Sequence, residues 1–368
     1  MSVRSGIRAG GQAVLEGVMM RSPKYLSVAV RTPDGKIVLR EERWRSFGER
    51  KRTFRKPFFR GVATLIETLV NGIQALSFSA DVIAKEEGNA AGGKDADGDK
   101  KARKSGRSKR KGQKKEGLST AAVVFTILSA FAFAIAIFVV LPHVLTLLFG
   151  RVLHWKLDVN SLAFHIIDGI IKIAFFVAYI WGISFMKDIR RVFEYHGAEH
   201  KSIFAYEHRR PLSVEAAREF GTHHPRCGTS FLLVVLIISI LLFAVVFPLL
   251  PEFSGLHPVL RQALFILIKI ALLFPVAGIS YEVIRAAGKS DHPVLRVLVW
   301  PGVALQRITT REPDDSQLEV ALLALISVLL RESSGAENFK KRMRTFDDFE
   351  SALAAFEEEV RGESAAQA

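Results

Sequence analysis

From Leu118 to Gly150 the sequence contains no lysine, arginine, aspartate or glutamate. A stretch of that kind exceeds the roughly 20 apolar residues that a helix needs to cross a hydrocarbon core of ~30 Å. Three further segments read the same way. Spans are expected at about 120–143, 165–186, 229–250 and 263–284. Short polar loops near Arg151–Asn160 and Pro251–Pro258 pair them into two hairpins. The chain is 49% apolar yet carries a formal charge of +14, so its charges must be segregated along it. The expected fold class is mainly α: a polytopic membrane protein with about four transmembrane helices in two hairpins, a small cytoplasmic β-hairpin element and cytoplasmic helices.

Basic residues set the orientation, because cytoplasmic segments retain them. The turn loops carry only Arg151, Lys156 and Arg261, whereas 85–117 carries twelve Lys or Arg and 187–227 carries eight. Both termini and the 187–227 connection are therefore expected on the cytoplasmic side of an inner membrane. The residues before Arg21 lack an apolar core followed by a small-residue cleavage site, and so do not read as a secretory signal. The single cysteine, Cys227, excludes an intramolecular disulfide and suits a reducing compartment.

Residues 57–84 are apolar but interrupted by Arg60, Glu67, Asn71 and Gln74, which favours an interfacial or bundle-packed helix over a fifth span. The region 1–56 contains two alternating runs around Thr32-Pro33-Asp34-Gly35, a β-hairpin signal. Residues 85–117 read as a flexible basic linker near anionic lipid headgroups. It lacks the interleaved aromatics of a nucleic-acid arm, so the expected partners are membrane lipids and an unidentified protein, not nucleic acid. The first hairpin fills 118–186, the chemistry-bearing segment 187–228 and the second hairpin 229–286. A cytoplasmic helical region follows at 287–335, where Ser316-x-x-Glu319 reads as a capping box for a helix over 317–331. The tail 336–368 reads as mobile, with an amphipathic helix over 345–361.

Ile171-Lys172-Ile173-Ala174 recurs as Ile268-Lys269-Ile270-Ala271, consistent with a duplicated hairpin or with chance similarity of apolar segments. Lys172 and Lys269 are expected to snorkel to headgroups. Asp168 and Lys172, at i and i+4, form a candidate membrane-embedded ionisable pair with His165 on the same face.

The candidate chemistry lies in Glu194-Tyr195-His196-Gly197-Ala198-Glu199-His200-Lys201. His196-x-x-Glu199-His200 has the H-x-x-E-H order of inverzincins. Residues at i and i+4 share a helical face, so both imidazoles can ligate one metal, with Glu199 close enough to act on a water that the metal activates. His224 and Cys227 add an imidazole and a thiolate at the entry of the third span, soft ligands that suit zinc. Glu282 lies at the matching depth of the fourth span. The expected set is His196, His200, His224, Cys227 and Glu282 around a divalent transition metal of the zinc type, with Glu199 catalytic. A helix whose His and Glu pair with each other is the plainer alternative, and a Cys227 nucleophile activated by His224 a further one.

At these residues the chain resembles the uncharacterised bacterial YqhQ family of predicted metal-dependent membrane enzymes. The strings that carry the resemblance are GGQAVLEGVMMRSP (10–23), YHGAEHKSIFAYE (195–207), HPRCGTSFL (224–232), PVAGISYEVIRAAG (275–288) and QRITTREPDDSQLEV (306–320). The resemblance implies a metal-dependent membrane enzyme, supplies no substrate, and draws attention to Gln12, Glu16, Arg21, Arg311 and Glu312. Three functions follow as expectations. The first is a metal-dependent hydrolase at the cytoplasmic face, acting on a lipid-linked or membrane-tethered substrate. The second is a non-catalytic scaffold with a structural metal or none, and the third a small transporter of ions or lipid headgroups.

Overall fold

The computed structural model describes residues 6–46, 48, 51–92, 120–155, 157–225, 227–287, 292–335 and 339–367. Of the expected linker 85–117, residues 85–92 instead continue the helix Phe59–Gly92, and 93–117 lie outside the described residues. The chain divides into two compact units, one of residues Met1–Glu87, Val177–Ser239 and Leu273–Ala368, the other of Gly88–Phe176 and Ile240–Leu272.

In chain order the strands are β1 (Gly10–Val14), β2 (Gly17–Arg21), β3 (Tyr25–Arg31), β4 (Ile37–Arg43) and β5 (Arg342–Phe346). The helices are α1 (Phe59–Gly92), α2 (Thr120–Ile135), α3 (Leu141–Val152), α4 (Leu162–Ile183), α5 (Lys187–Glu207) and α6 (Val214–Arg218). They continue with α7 (Gly228–Val246), α8 (Pro258–Ala287), α9 (Pro293–Thr309), α10 (Asp315–Ser334) and α11 (Phe349–Gln367).

The first unit is built on an antiparallel sheet in the order β1-β2-β3-β4-β5. The expected hairpin is β3–β4, closed by the pair Arg31↔Ile37 around a Gly35 whose φ is 92°. It is the centre of a larger sheet. Successive residues point to opposite faces, and both faces are covered. Val18, Met20, Ala29, Ile37 and Leu39 pack with Tyr195 and Ala198 of α5 and with Leu318–Leu329 of α10. Met19, Leu26, Val28, Val30 and Val38 pack with Ala75 and Val82 of α1. Each buried Val, Leu, Ile or Met among them contributes about 1.5–3 kcal/mol.

The start of α10 differs from the Ser316–Glu319 expectation. Asp314 is the N-cap, and its carboxylate and the Gln317 side chain satisfy each other's backbone N–H groups. Glu319 instead pairs with Arg31 at 2.6 Å. The C-terminal segment also differs from a mobile tail. β5 pairs with β4, and Phe349, Ala352 and Phe356 of α11 enter the core. Glu41, 1% exposed, binds Arg331 at 3.0 Å and Arg344 at 2.7 Å, and Glu359 of α11 binds Arg331 at 2.8 Å. The sequence hides this because the partner of β5 lies some 300 residues away.

Five helices among the described residues, not four, are long and apolar enough to cross a membrane: Phe59–Glu86, Leu128–Val152, Leu162–Ile183, Phe231–Leu249 and Pro258–Ala287. The chain is mainly helical with a small antiparallel sheet, and the five apolar helices suggest a membrane protein. In the second unit Lys172 and Lys269 do not snorkel. They are 4% and 0% exposed, and both bind Asp168. An interior carboxylate outcompetes distant headgroups because an unpaired ammonium there carries a large desolvation cost.

Candidate metal centre

The site sits on α5, where Tyr195, His196, Glu199, His200 and Lys201 are all buried. Tight packing on one side of the helix is possible because residue 197 is glycine. A Cβ there would lie 2.0 Å from the Arg311 carbonyl oxygen. That approach is held by the Arg311 N–H, which donates to the Phe193 carbonyl at 2.9 Å. It brings the end of α9 and the residues after it against α5.

The two imidazoles lie with ring centroids 4.4 Å apart. His196 Nδ1 meets the Thr309 carbonyl oxygen at 2.8 Å, and His200 Nδ1 meets the Thr222 carbonyl oxygen. A carbonyl only accepts, so both Nδ1 atoms donate, which in a neutral imidazole leaves the lone pair on Nε2. His196 Nε2 lies 3.1 Å from Cys227 Sγ. His200 Nε2 is buried and faces Cys227 without a hydrogen bond of normal geometry. The ligand atoms of His196, His200 and Cys227 all lie within 4.8 Å of one another. Tetrahedral zinc needs ligand separations of about 3.4–3.6 Å, so ring adjustments of about 1 Å would close the set. Nδ1–H bonded to a backbone carbonyl is the outer arrangement that orients a histidine ligand.

Glu199 is 5% exposed, with a carboxylate oxygen 3.9 Å from His196 Nε2. Burial pushes its carboxyl above the usual range, opposed by His196, His224 and a hydrogen bond from the backbone of Gly11. Gly11 lies on β1 where a Cβ would fall 2.9 Å from Glu199 Cγ, so the strand passes directly over the carboxylate. Burial also pushes His200 down, which favours the neutral imidazole that a metal requires.

The other expected ligands go elsewhere. The His224 ring packs at a tilt against Phe204 at 4.4 Å and meets Glu207 at 3.4 Å, while Gln306 clamps its main chain through two hydrogen bonds of 2.7 and 2.8 Å. Glu282 binds Arg60 at 2.7 Å and accepts from the Phe58 N–H. Glu16 pairs with Arg191, Glu312 with Lys201, and the Arg21 guanidinium lies 4.6 Å over the Trp44 ring. The carbonyls of Thr222 and Thr309 and the clamp by Gln306 were not expected from the sequence. Thr309 and Gln306 fall inside the 306–320 string, which was the one available signal.

The family described as "Protein of unknown function (DUF1385)" matches residues 56–331. The "Uncharacterized protein YqhQ" of Bacillus subtilis (strain 168) is 32% identical over 334 residues, covering 90% of this chain and 95% of the relative. No solved structure matches the chain.

Proposed function

The chain belongs to the DUF1385 family, whose description assigns no activity, so its function has to be argued from its own residues: we propose a metal-dependent hydrolase at the cytoplasmic face of a membrane. The observation that carries this reading is the convergence of two Nε2 lone pairs and one thiol, both imidazoles already fixed by backbone carbonyls, beside the buried carboxyl of Glu199. His196, His200 and Cys227 would hold the metal, and zinc fits an N, N, S donor set best. A metal of this type supplies a Lewis acid that makes water nucleophilic near neutral pH. Glu199 would take the proton from the attacking water and return it to the leaving group, a role that suits a carboxyl whose proton affinity burial has raised. Cys227 directly precedes α7 and α5 follows closely on α4, so the site adjoins the ends of apolar helices. That position favours a lipid-linked or membrane-tethered substrate.

Four crossings rather than five are supported by strand pairing. β4 and β5 are hydrogen-bonded neighbours, so residues 37–43 and 342–346 share one side of any membrane. Five crossings would separate them. α1 is the helix to exclude, because Ala75 and Val82 pack beneath the sheet while Leu65, Ile66, Leu69 and Val70 are exposed. An amphipathic helix of that kind lies along an interface. The eight basic residues of 187–227 favour a cytoplasmic site.

One observation favours the scaffold reading: His196, Glu199, His200 and Cys227 are all under 10% exposed, as in a structural site. A single experiment separates the two. Protein purified without chelator should carry close to one transition metal per chain. Glu199→Gln keeps the side-chain volume but cannot take a proton, so the metal should stay while complementation of a deletion strain fails. Complementation by Glu199→Gln would refute the hydrolase. Metal-free wild-type protein, prepared where a zinc-enzyme control keeps its zinc, would refute the metal site.

A further inference from the structure

The second unit holds a cluster of ionisable groups that the metal centre does not use. Lys172 Nζ and Lys269 Nζ both reach the same oxygen of Asp168, Oδ2, at 2.8 and 2.7 Å. The other oxygen, Oδ1, is buried with no hydrogen-bond partner among the described residues. The surroundings are aromatic: the rings of Phe164, Phe243 and Phe247 lie 5.1, 6.0 and 5.8 Å from the Lys269 nitrogen. A structural ion pair needs one cation for one carboxylate. Here two cations share one anion, an excess charge in a part of the chain apolar enough to lie in lipid, where an uncompensated ion costs several kcal/mol.

The excess charge has a way out. Lys269 Nζ lies 3.0 Å from His143 Nδ1, and His143 Nε2 lies 2.9 Å from Gln262 Oε1. The amide oxygen only accepts, so Nε2 carries the imidazole proton and Nδ1 accepts from the lysine. Gln262 in turn lines a solvent-open cavity of about 480 Å³, together with Arg151, Trp155, Asp158, Glu252 and Arg261. A continuous line of hydrogen bonds thus runs from the loop-side cavity through Gln262, His143 and Lys269 to Asp168 and Lys172, across α8, α3 and α4.

We propose that Asp168, Lys172 and Lys269 form a proton-exchange site, loaded and unloaded through His143 from this cavity. In release, the Lys269 N–H bond breaks as the Nδ1–H bond of His143 forms. The Nε2 proton then passes to cavity water once Gln262 yields its place, giving hydronium. Lys269 is left as an amine, and Asp168 with Lys172 as a neutral ion pair. Uptake is the reverse. The two states differ by one charge and no covalent bond to carbon, so the site can report or store a proton without a ligand-sized void. The titratable groups facing Lys269 are His143 from α3 and Asp168 and Lys172 from α4. His165, beside Asp168 and Lys172 on α4, packs on Phe247 at 4.6 Å. This inference is independent of the metal centre.

The test is solvent exchange of the Lys269 side-chain protons, read by NMR from ¹⁵N-lysine-labelled full-length protein in nanodiscs. Lys269→Arg, which keeps a cation on Asp168, assigns the signal. Wild-type Lys269 should exchange with water rapidly despite its burial. His143→Phe should slow that exchange by about 100-fold, the lower end of what a positioned proton carrier contributes. His143→Asn, which presents an amide but cannot pass a proton on, should do the same if the phenylalanine variant fails to fold. A static clamp predicts slow exchange in the wild type and no change in either variant. Slow wild-type exchange, or fast exchange that survives loss of His143, would overturn the proposal.

Discussion

Gly197→Ala tests whether the site is held by close packing of α5 on the chain after α9. In an unconstrained helix, alanine is favoured over glycine by about 1 kcal/mol. At position 197 the new Cβ would meet the Arg311 carbonyl oxygen at 2.0 Å and Thr222 Cγ2 at 3.2 Å, whereas ordinary contact begins at 3.4 Å. The first obstacle is backbone and cannot rotate away, so the helix and the 309–312 segment must part by more than 1 Å. Overpacking of this kind costs about 1–3 kcal/mol, and a backbone clash belongs at the upper end. Set against the helix gain, the net loss is about 2 kcal/mol, or a fall in Tm of roughly 4–8 °C. The same displacement moves Thr309, whose carbonyl orients His196. Metal affinity should therefore drop about 10–100-fold, as when an outer partner of a histidine ligand is removed. Thermal unfolding in detergent and competition with a chromophoric chelator read the two effects. Gly362→Ala on α11, where a Cβ meets nothing within 4 Å, is the control and should be neutral or stabilising. A Gly197→Ala protein as stable and as metal-replete as wild type would refute the packing argument.

Among the ligands, His196→Ala, His200→Ala and Cys227→Ser should each lose the metal, whereas His224→Ala and Glu282→Gln should keep it; metal content of the purified variants decides. For topology, single cysteines at the exposed positions Lys51 and Glu215, with Cys227 replaced by Ser, should label from one side of the membrane and Ser254 from the other; labelling of Lys51 opposite to Glu215 would mean that α1 crosses. For pH, Glu199 binds its proton more tightly in the folded chain than its unfolded value of about 4.3. The stability it contributes is then full below about pH 4.3 and lost as pH rises through the raised value. Metal-free Glu199→Gln should accordingly be more stable than metal-free wild type at neutral pH, the difference vanishing in acid, as measured by denaturation across pH.

The apolar helices and the β3–β4 hairpin were legible because each depends on local signals, an uncharged run in one case and Pro33-Asp34-Gly35 in the other. β1, β2 and β5 were not. β1 is rich in glycine and short, and β5 reads Arg-Met-Arg-Thr-Phe, a pattern that gains meaning only beside β4. The i, i+4 spacing of His196 and His200 carried the shared face, and Cys227 stood out as the only thiol. Depth along the membrane normal was a weaker guide. It could not separate His224, turned toward Glu207, or Glu282, tied to Arg60, from residues that converge. The two orienting carbonyls were beyond reach, since a backbone oxygen leaves no mark in residue identity.

What the fold adds to the motif is control over charge. The three donors come from α5 and the residue before α7, their orienting carbonyls from Thr309 at the end of α9 and Thr222 in the loop after α6. Over Glu199 lies β1, offering one backbone N–H and excluding water. Burial therefore opposes charge on Glu199 and on His200 alike, raising one and lowering the other. The site gathers two imidazole nitrogens and a thiol, with burial favouring the neutral form of His200, next to a carboxyl reluctant to ionise. Such an environment suits a dication, because bringing one in would relieve the desolvation of the carboxylate while needing no change at His200. His200 Nε2, buried and without a hydrogen-bond partner among the described residues, carries a cost of about 1–3 kcal/mol that a cation at the proposed site would remove. That atom, more than the motif, favours the proposed metal site over a helix that merely carries two histidines on one face.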